Sequence, residues 1–584
     1  MHYVENSLTH QDNLKNGCQL DLILYNGNVV TVDDNFRLAQ AAAISRGRVV
    51  DVGTTEAILG LAGRRTALLN LDGNTVIPGI QDSHIHFLDL GWNLMTKIDL
   101  SAARSVEDIL TLVHQAASKA APGEWVEGFG WDWVKLEEKR MANRLELDAA
   151  APQNPVYLAY IEDGCALNSI AMRENGIDSG WEWWRKDPPW TDELNYIERF
   201  HDGPHAGEPT GVFWGKRGLE LINCRKALPG VNENVAGIEV AQEAMLSCGV
   251  TAVVDPFVSD LRAYQAAYTA GKLKLRVTAY LDLGGFGSAE DVGNRVRHLM
   301  ISNLGDSWFR IRGAKFFADG GIGSLDAAVS EPYVFGKPGN YGELVQPDGV
   351  RYAQYKEAVN YGWELHTHCA GDRGLAQTLM LYEKIMKEIK PGAPCSDLRY
   401  SAIHSFLPME PQNACIEAMA RLGVVATVNP AFYYDLGDSF HKFIGDDRMA
   451  RFIPLRSMMD RGVVVACGSD YPFATYDPWV GMFAAVVRKT RYSRRVFGER
   501  ERITIPEALR MYTIGGAYLT HSEKERGSIE PGKLADLVVL DKDVLTMDPE
   551  ELESMRDHVL MTFVEGRIAW RSGRCGLGLS KPSL

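Results

Sequence analysis

The alternation of apolar and polar positions divides the chain into three kinds of stretch. Residues 21–25, 29–32, 41–45, 48–52 and 66–71 are short runs with period two, separated by turn residues such as Asn26-Gly27-Asn28 and Arg46-Gly47. Runs of this kind are strands of a small sheet. The far end of the chain has the same texture: a turn over residues 527–533, an apolar run over 535–540, and a closing hairpin over 559–568. Both ends together predict a composite β-sandwich, residues 20–74 and 525–575, completed only when the C-terminus returns.

In the middle the period changes. Apolar runs at 75–86, 251–255, 275–281, 309–317, 362–368, 399–404, 424–428 and 463–468 alternate with stretches of helical period such as 240–246, 375–389 and 413–422. Eight strand–helix units predict an α/β fold, a (β/α)8 TIM-like barrel over residues 75–96 and 236–524. Residues 97–235 interrupt it and form an inserted α/β subdomain expected to cover the active site. That insert carries Trp125, Trp131, Trp133, Trp181, Trp183, Trp184, Trp190 and Trp214. Most of these indoles fill cores, while Trp181 to Trp184, bounded by Ser-Gly and Asp-Pro-Pro, read as a loop that closes an apolar pocket.

Composition narrows the function classes. At 584 residues the chain is too long for one ordinary core. Its 46% apolar and 23% charged content is that of a soluble globular protein. A net charge of -15 argues against a nucleic-acid surface. No run is long and apolar enough to span a bilayer, and the first residues hold no secretory core, so a cytoplasmic protein with no membrane partner is expected. Nine scattered cysteines without C-x-x-C spacing suit free thiols in a reducing compartment.

Chemistry concentrates where the predicted strands end. The first ends in His84-Ile85-His86, and alternate side chains of a strand point the same way, so two imidazoles would face one point. The fifth ends in His366-Thr367-His368, the sixth in His404, and the eighth in Gly468-Ser469-Asp470; the fourth carries Lys315 in its apolar last turns. Each alone is an ordinary core or turn residue. Together, at one end of separate strands, they are a donor set for a divalent ion. Lys315 can either pair with Asp319 or, if carboxylated by carbon dioxide, become an oxygen ligand.

With these motifs the chain resembles the amidohydrolase superfamily, in its family 3 group, that of the N-substituted formamide deformylases. The resemblance runs from about Asp21 to Gly573 and rests on Pro78-Gly79, Asp82-Ser83-His84-Ile85-His86, Glu208-Pro209-Thr210-Gly211, Lys315-Phe316-Phe317-Ala318-Asp319-Gly320, residues 368–373, Gly468-Ser469-Asp470-Tyr471-Pro472 and Gly532-Lys533-Leu534-Ala535-Asp536-Leu537. It implies that His84, His86 and Asp470 hold one metal, His368 and His404 a second, and carboxylated Lys315 both. Zinc is the implied metal of this binuclear site, with iron and manganese as alternatives. It also implies a hydrolase that cleaves a non-peptide amide or formamide bond of a small molecule with metal-activated water, Asp470 acting as base and then acid. Deamination, ester hydrolysis and decarboxylation use the same ligands, and a non-catalytic scaffold is the alternative of another class. Residues expected at the substrate are Asp163, Cys165, Trp131, Trp184, His366 and Asp319. Where the family often has Arg-x-Asp-Gly-His, this chain reads Ile161-Glu162-Asp163-Gly164-Cys165, and the tryptophans point to an apolar or aromatic substrate. A homo-oligomer is the expected assembly.

Overall fold

The computed structural model describes residues 19–581, apart from 134, 161–163, 178–195, 223–228, 259, 286, 298–301, 390–397 and 408–413. Eight parallel strands form the central sheet: β1 (Ile80–Asp82), β2 (Val250–Asp255), β3 (Arg276–Asp282), β4 (Phe309–Phe317), β5 (Glu364–Cys369), β6 (Ser401–His404), β7 (Val425–Val428) and β8 (Val465–Cys467). Each lies beside its neighbour in sequence. The seam between β8 and β1 is narrowed by backbone bonds: Ser83 N–H donates to Cys467 O at 2.8 Å, and Asp470 N–H to His84 O at 2.7 Å. The result is a (β/α)8 barrel, as the eight-unit pattern predicts.

Beside it stand the two sheets built from the chain ends. One runs Leu579–Ser580, Ala67–Asn70, Leu22–Tyr25, Ala41–Ser45, Arg48–Gly53; the other runs Arg567–Arg571, Val559–Val564, Leu537–Leu540, Thr75–Pro78, Asn28–Val30, Leu38–Ala39. Leu22, Leu24, Ile44 and Leu69 of the first pack with Val29, Val76, Leu537 and Phe563 of the second in one buried cluster, which makes the pair a sandwich. One boundary differs from the sequence reading. Thr75–Pro78 pairs with Asn28–Val30 and Leu537–Leu540, so it closes the sandwich, and the barrel strand begins only at Ile80. An apolar run of this length fits either sheet, and only pairing decides.

Sandwich and barrel are joined by charge. Arg276, at the start of β3 and 1% exposed, donates from Nε and Nη2 to the two oxygens of Asp536 at 2.7 and 2.9 Å. That contact explains the aspartate of the Gly532-to-Leu537 motif. Asp536→Asn leaves Arg276 only the longer ion-pair contact with Glu565 at 3.4 Å, so it is expected to lower stability by roughly 3 kcal/mol, measured as the shift of the denaturant midpoint; an unchanged midpoint would contradict the joint.

A third sheet lies within the insert, in the order Tyr196–Arg199, Pro209–Trp214, Gly164–Leu167, Val156–Tyr160, Val126–Phe129, Lys97–Asp99. Its Val126–Phe129 strand reaches the barrel's C-terminal end, where the Phe129 ring meets Tyr471 at 5.8 Å. Just beyond, Asp132 accepts from Ser439 Oγ at 2.9 Å, and Lys442 sits over the Trp133 ring at 4.7 Å. Among the described residues no helix is long and apolar enough to cross a membrane.

Candidate metal centre

The loops after β1 and β8 are bound edge to edge, and this brings the donor residues together. Asp82, buried at the end of β1, accepts from the backbone N–H of His84 and of Ser469, each at 3.0 Å. His86 N–H donates to Tyr471 O at 3.1 Å. Gly468 lies so close to this seam that a Cβ there would stand 2.3 Å from the His84 nitrogen, so the glycine of Gly-Ser-Asp is required by packing.

His84 and His86 sit in the turn beyond β1, His86 as the residue just before the helix Phe87–Thr96. The two imidazoles thus converge through a loop held by Asp82, and not through strand alternation. Both Nε2 atoms lie 3.2 Å from Asp470 Oδ1. One ligand atom from each of His84, His86 and Asp470 lies within 4.8 Å of the others, a set that could hold a metal ion. His404 stands on the other side of Asp470, its Nδ1 3.7 Å from Oδ2, and the His368 ring lies 4.4 Å from the His404 ring.

Hydrogen bonds decide which ring nitrogens remain for a ligand. A carbonyl oxygen only accepts, so the 3.0 Å contact of His368 Nε2 with Gly320 O makes that nitrogen a donor and leaves Nδ1. His404 Nδ1 bonds Asn429 Oδ1 at 2.8 Å, while Asn429 Nδ2 donates to Gly468 O at 3.1 Å; Nε2 of His404 is left. His404, Ser405 and Asp470 all adopt left-handed backbone, with φ of 71°, 47° and 53°. Such conformations in non-glycine residues collect at functional sites.

The electrostatics suit cation binding. Burial, and next the charge of Lys315, pulls His84 down to about 3 and His368 to about 4. Burial and then His368 hold His404 well below the ordinary histidine value. These three rings are therefore neutral, the form that ligates metals. Burial opposes the charged form of His86, yet its bond to Asp470 and that carboxylate's charge raise it to about 9. Burial alone would raise Asp470 as well, but the imidazoles around it, His84 first, hold it well below the carboxylate range. A carboxylate drawn that low among four imidazoles is the donor chemistry a divalent ion requires.

Lys315 is 2% exposed on β4, in register between Asp282 of β3 and His366 of β5. His84, His368 and His404 all feel its charge.

The described residues expected at the substrate are buried around or beyond the cluster, Asp319 Oδ1 lying 3.8 Å from His368 Nε2. His366 is fully buried inside the barrel under the histidine cluster: its ring stacks on Tyr280 at 4.0 Å and its Nδ1 bonds Ser401 Oγ at 2.8 Å. Asp319 gives its oxygens to the backbone N–H groups of Ala328, Ala370 and Gly371 at 3.0, 3.0 and 2.7 Å, so it fixes the turn after β5. Cys165 is buried in the insert's sheet among Tyr157, Leu167, Ile197 and Phe213, and Trp131 packs with Leu136, Met141 and Tyr160 in the insert's core. Both side chains are buried within the insert's own clusters. Asp163 and Trp184, with the rest of the tryptophan loop, lie outside the described residues.

Sequence reading missed the aromatic rim. Phe257, 39% exposed just after β2, and Phe473, after β8, approach the His86 ring at 5.8 and 5.7 Å, and Phe317 approaches His368 at 5.3 Å. It also missed Asn429, which a check of the residue ending β7 would have found.

Comparison with known proteins identifies the family. The chain is 29% identical over 557 residues to N-substituted formamide deformylase of Arthrobacter pascens, covering 94% of this chain and 97% of that one. It is 28% identical over 567 residues to Protein LONG AFTER FAR-RED 3 of Arabidopsis thaliana, covering 94% and 92%. A metal-dependent hydrolase from Pyrococcus horikoshii OT3 shares the fold, with a TM-score of 0.69 at 24% identity over 90% of this chain and 99% of that one. The model of the amidohydrolase family matches residues 67–570, and the chain belongs to that family of hydrolases.

Proposed function

We propose that the protein hydrolyses a carbon–nitrogen bond in a small, apolar or aromatic amide or formamide, using one or two divalent ions. The observation that carries this reading is the convergence of His84, His86 and Asp470, with His368 and His404 beside them, at the C-terminal end of the barrel. His84, His86 and Asp470 would hold one ion, His368 Nδ1 and His404 Nε2 a second, and Lys315, carboxylated, would serve both. Zinc suits imidazole and carboxylate donors best. A divalent ion supplies Lewis acidity there, bringing water's pKa towards neutrality and polarising a carbonyl.

The chain's own groups do the rest. Asp470 takes the proton of the attacking water and returns it to the leaving nitrogen, a role open to a carboxylate kept ionised at the centre of the cluster. Asn429 and Gly320 fix the ring orientations of His404 and His368. Phe257, Phe317 and Phe473 offer apolar surface for the acyl or amine substituent, and the insert, reaching Tyr471 through Phe129, covers the site and excludes water. Among the described residues six cysteines are buried and none forms a disulfide, which suits a cytoplasmic setting.

The test is metal content followed by turnover. Protein purified without chelator is expected to carry about two equivalents of zinc per chain and to hydrolyse N-substituted aromatic formamides or amides, with activity abolished by chelation and restored by zinc. One equivalent would remove the second ion, and with it the shared role of Lys315; metal-loaded protein inert on amides, formamides and esters would overturn the reading.

A further inference from the structure

The candidate ligands come from β1, β4, β5, β6 and β8, so the sector of β2 and β3, which lies between β1 and β4, is the side of the centre left to a substrate. Asp282 ends β3 in that sector. Tyr280, two residues earlier, stacks inside the barrel on His366 at 4.0 Å, and strand alternation puts Asp282 on the same inner face, in register with Lys315. It is half-buried there, at the mouth. Asp255, the carboxylate ending β2, is spent instead on Tyr264 Oη at 2.5 Å and on the Phe257 N–H at 3.2 Å.

Asp282 Oδ1 accepts from Gly284 N–H at 2.9 Å, which leaves Oδ2 to face the mouth. The carboxylate stands beside the aromatic rim. A Cβ on Gly284 would lie 3.2 Å from Asp282 Oδ1 and 2.2 Å from Phe317 Cδ2, and the Phe317 ring meets that of Phe257 at 6.3 Å. Aromatic faces next to a carboxylate are surroundings that organic cations favour. Phe317 already faces one cation, Lys315 Nζ, 5.0 Å from its ring centre. Burial lifts the Asp282 carboxyl above its ordinary value, and the Gly284 N–H, Lys315 and the exposed Arg295 draw it back only in part. The carboxylate is thus short of positive charge, and carboxylation of Lys315 would turn the stronger of these two cations into an anion.

We propose that Asp282 is a specificity-determining residue that binds an ammonium group carried by the substrate's acyl or amine substituent, against the Phe257 and Phe317 rings. Asp282, given the hydrolase reading above, narrows the substrate class from apolar or aromatic amides to those that also bear an organic cation. A neutral substituent that displaces water from the mouth leaves the carboxylate unpaired, and an anionic one meets repulsion. Discrimination therefore falls on binding, in KM more than in kcat.

Calorimetric titration of the metal-loaded, full-length enzyme with benzylammonium and with benzyl alcohol, which share a shape and differ in charge, tests this without turnover. Benzylammonium is expected to bind about 10- to 100-fold tighter, and Asp282→Asn to erase the difference. Equal binding by the wild type overturns the proposal whether or not the variant folds. An advantage that survives in Asp282→Asn overturns it too, since the amine would then be held by the metal. In kinetics, N-(para-aminomethylbenzyl)formamide is expected to exceed N-(para-methylbenzyl)formamide in kcat/KM by a similar factor, mostly through KM. Turnover of the neutral formamide at an equal or higher kcat/KM overturns the choice of a cation and leaves the hydrolase reading standing. Turnover of neither sinks that reading, and the binding pair still decides for Asp282.

Discussion

Asp470→Asn is expected to retain its metal and lose activity on the best formamide or amide substrate by about 100- to 10,000-fold in kcat/KM. The amide keeps the shape of the carboxylate and one oxygen that can face His84 and His86. It cannot hold a proton between the attacking water and the leaving nitrogen. The position makes the two functions separable, since Oδ1 lies 3.2 Å from both His84 Nε2 and His86 Nε2, while Oδ2 faces His404 at 3.7 Å. Elemental analysis of the variant beside its kinetics is the decisive pair of measurements. Loss of metal together with activity would make Asp470 a ligand and nothing more. A variant with full metal and normal turnover would exclude it as the proton carrier, leaving the reaction to another group.

The metal centre was largely legible because a barrel gathers the C-terminal ends of its strands, so residues far apart in sequence can be compared at equivalent positions. His368, His404 and Asp470 were readable in that way, each at or just past a strand end. The details that depend on pairing were not. The run 75–78 has the same apolar character whether it closes the sandwich or enters the barrel, and its hydrogen bonds to Asn28–Val30 and Leu537–Leu540 decide the matter. The direction of Cys165 depends on its register between Ala159 and Phe213 in a mixed sheet, which no local pattern reveals. His366 belongs to the same alternation as His368, two residues deeper, and so falls inside the barrel. Asn429 and Asp82 carry no signal of their own type; their importance comes from the bonds they make to the neighbouring donor loops.

Lys315→Ala is expected to lose most of its activity and regain part of it in millimolar acetate or propionate. A lysine ammonium has three donors and no lone pair, so it cannot ligate a metal. Yet Lys315 is 2% exposed and close enough to lower the pKa of His84, His368 and His404. A cation at that place opposes the binding of further cations, whereas its carbamate would favour it. Carbamate formation joins the neutral amine to carbon dioxide and releases the two protons the ammonium and the new bond give up, changing the charge at this position from positive to negative. In the alanine variant the side chain's space lies beside Asp282 and the histidines, and a short carboxylate entering it would restore an oxygen donor where the carbamate had been. Rescue should therefore depend on acid length, strongest for the acids that fill the space, and should be accompanied by recovery of the second equivalent of metal. Recovery of activity without recovery of metal would mean that the acid acts as a base. If neither returns, and wild-type activity is indifferent to removal of carbon dioxide during metal reconstitution, Lys315 acts as a buried cation that restrains the histidines, and the shared-ligand assignment fails.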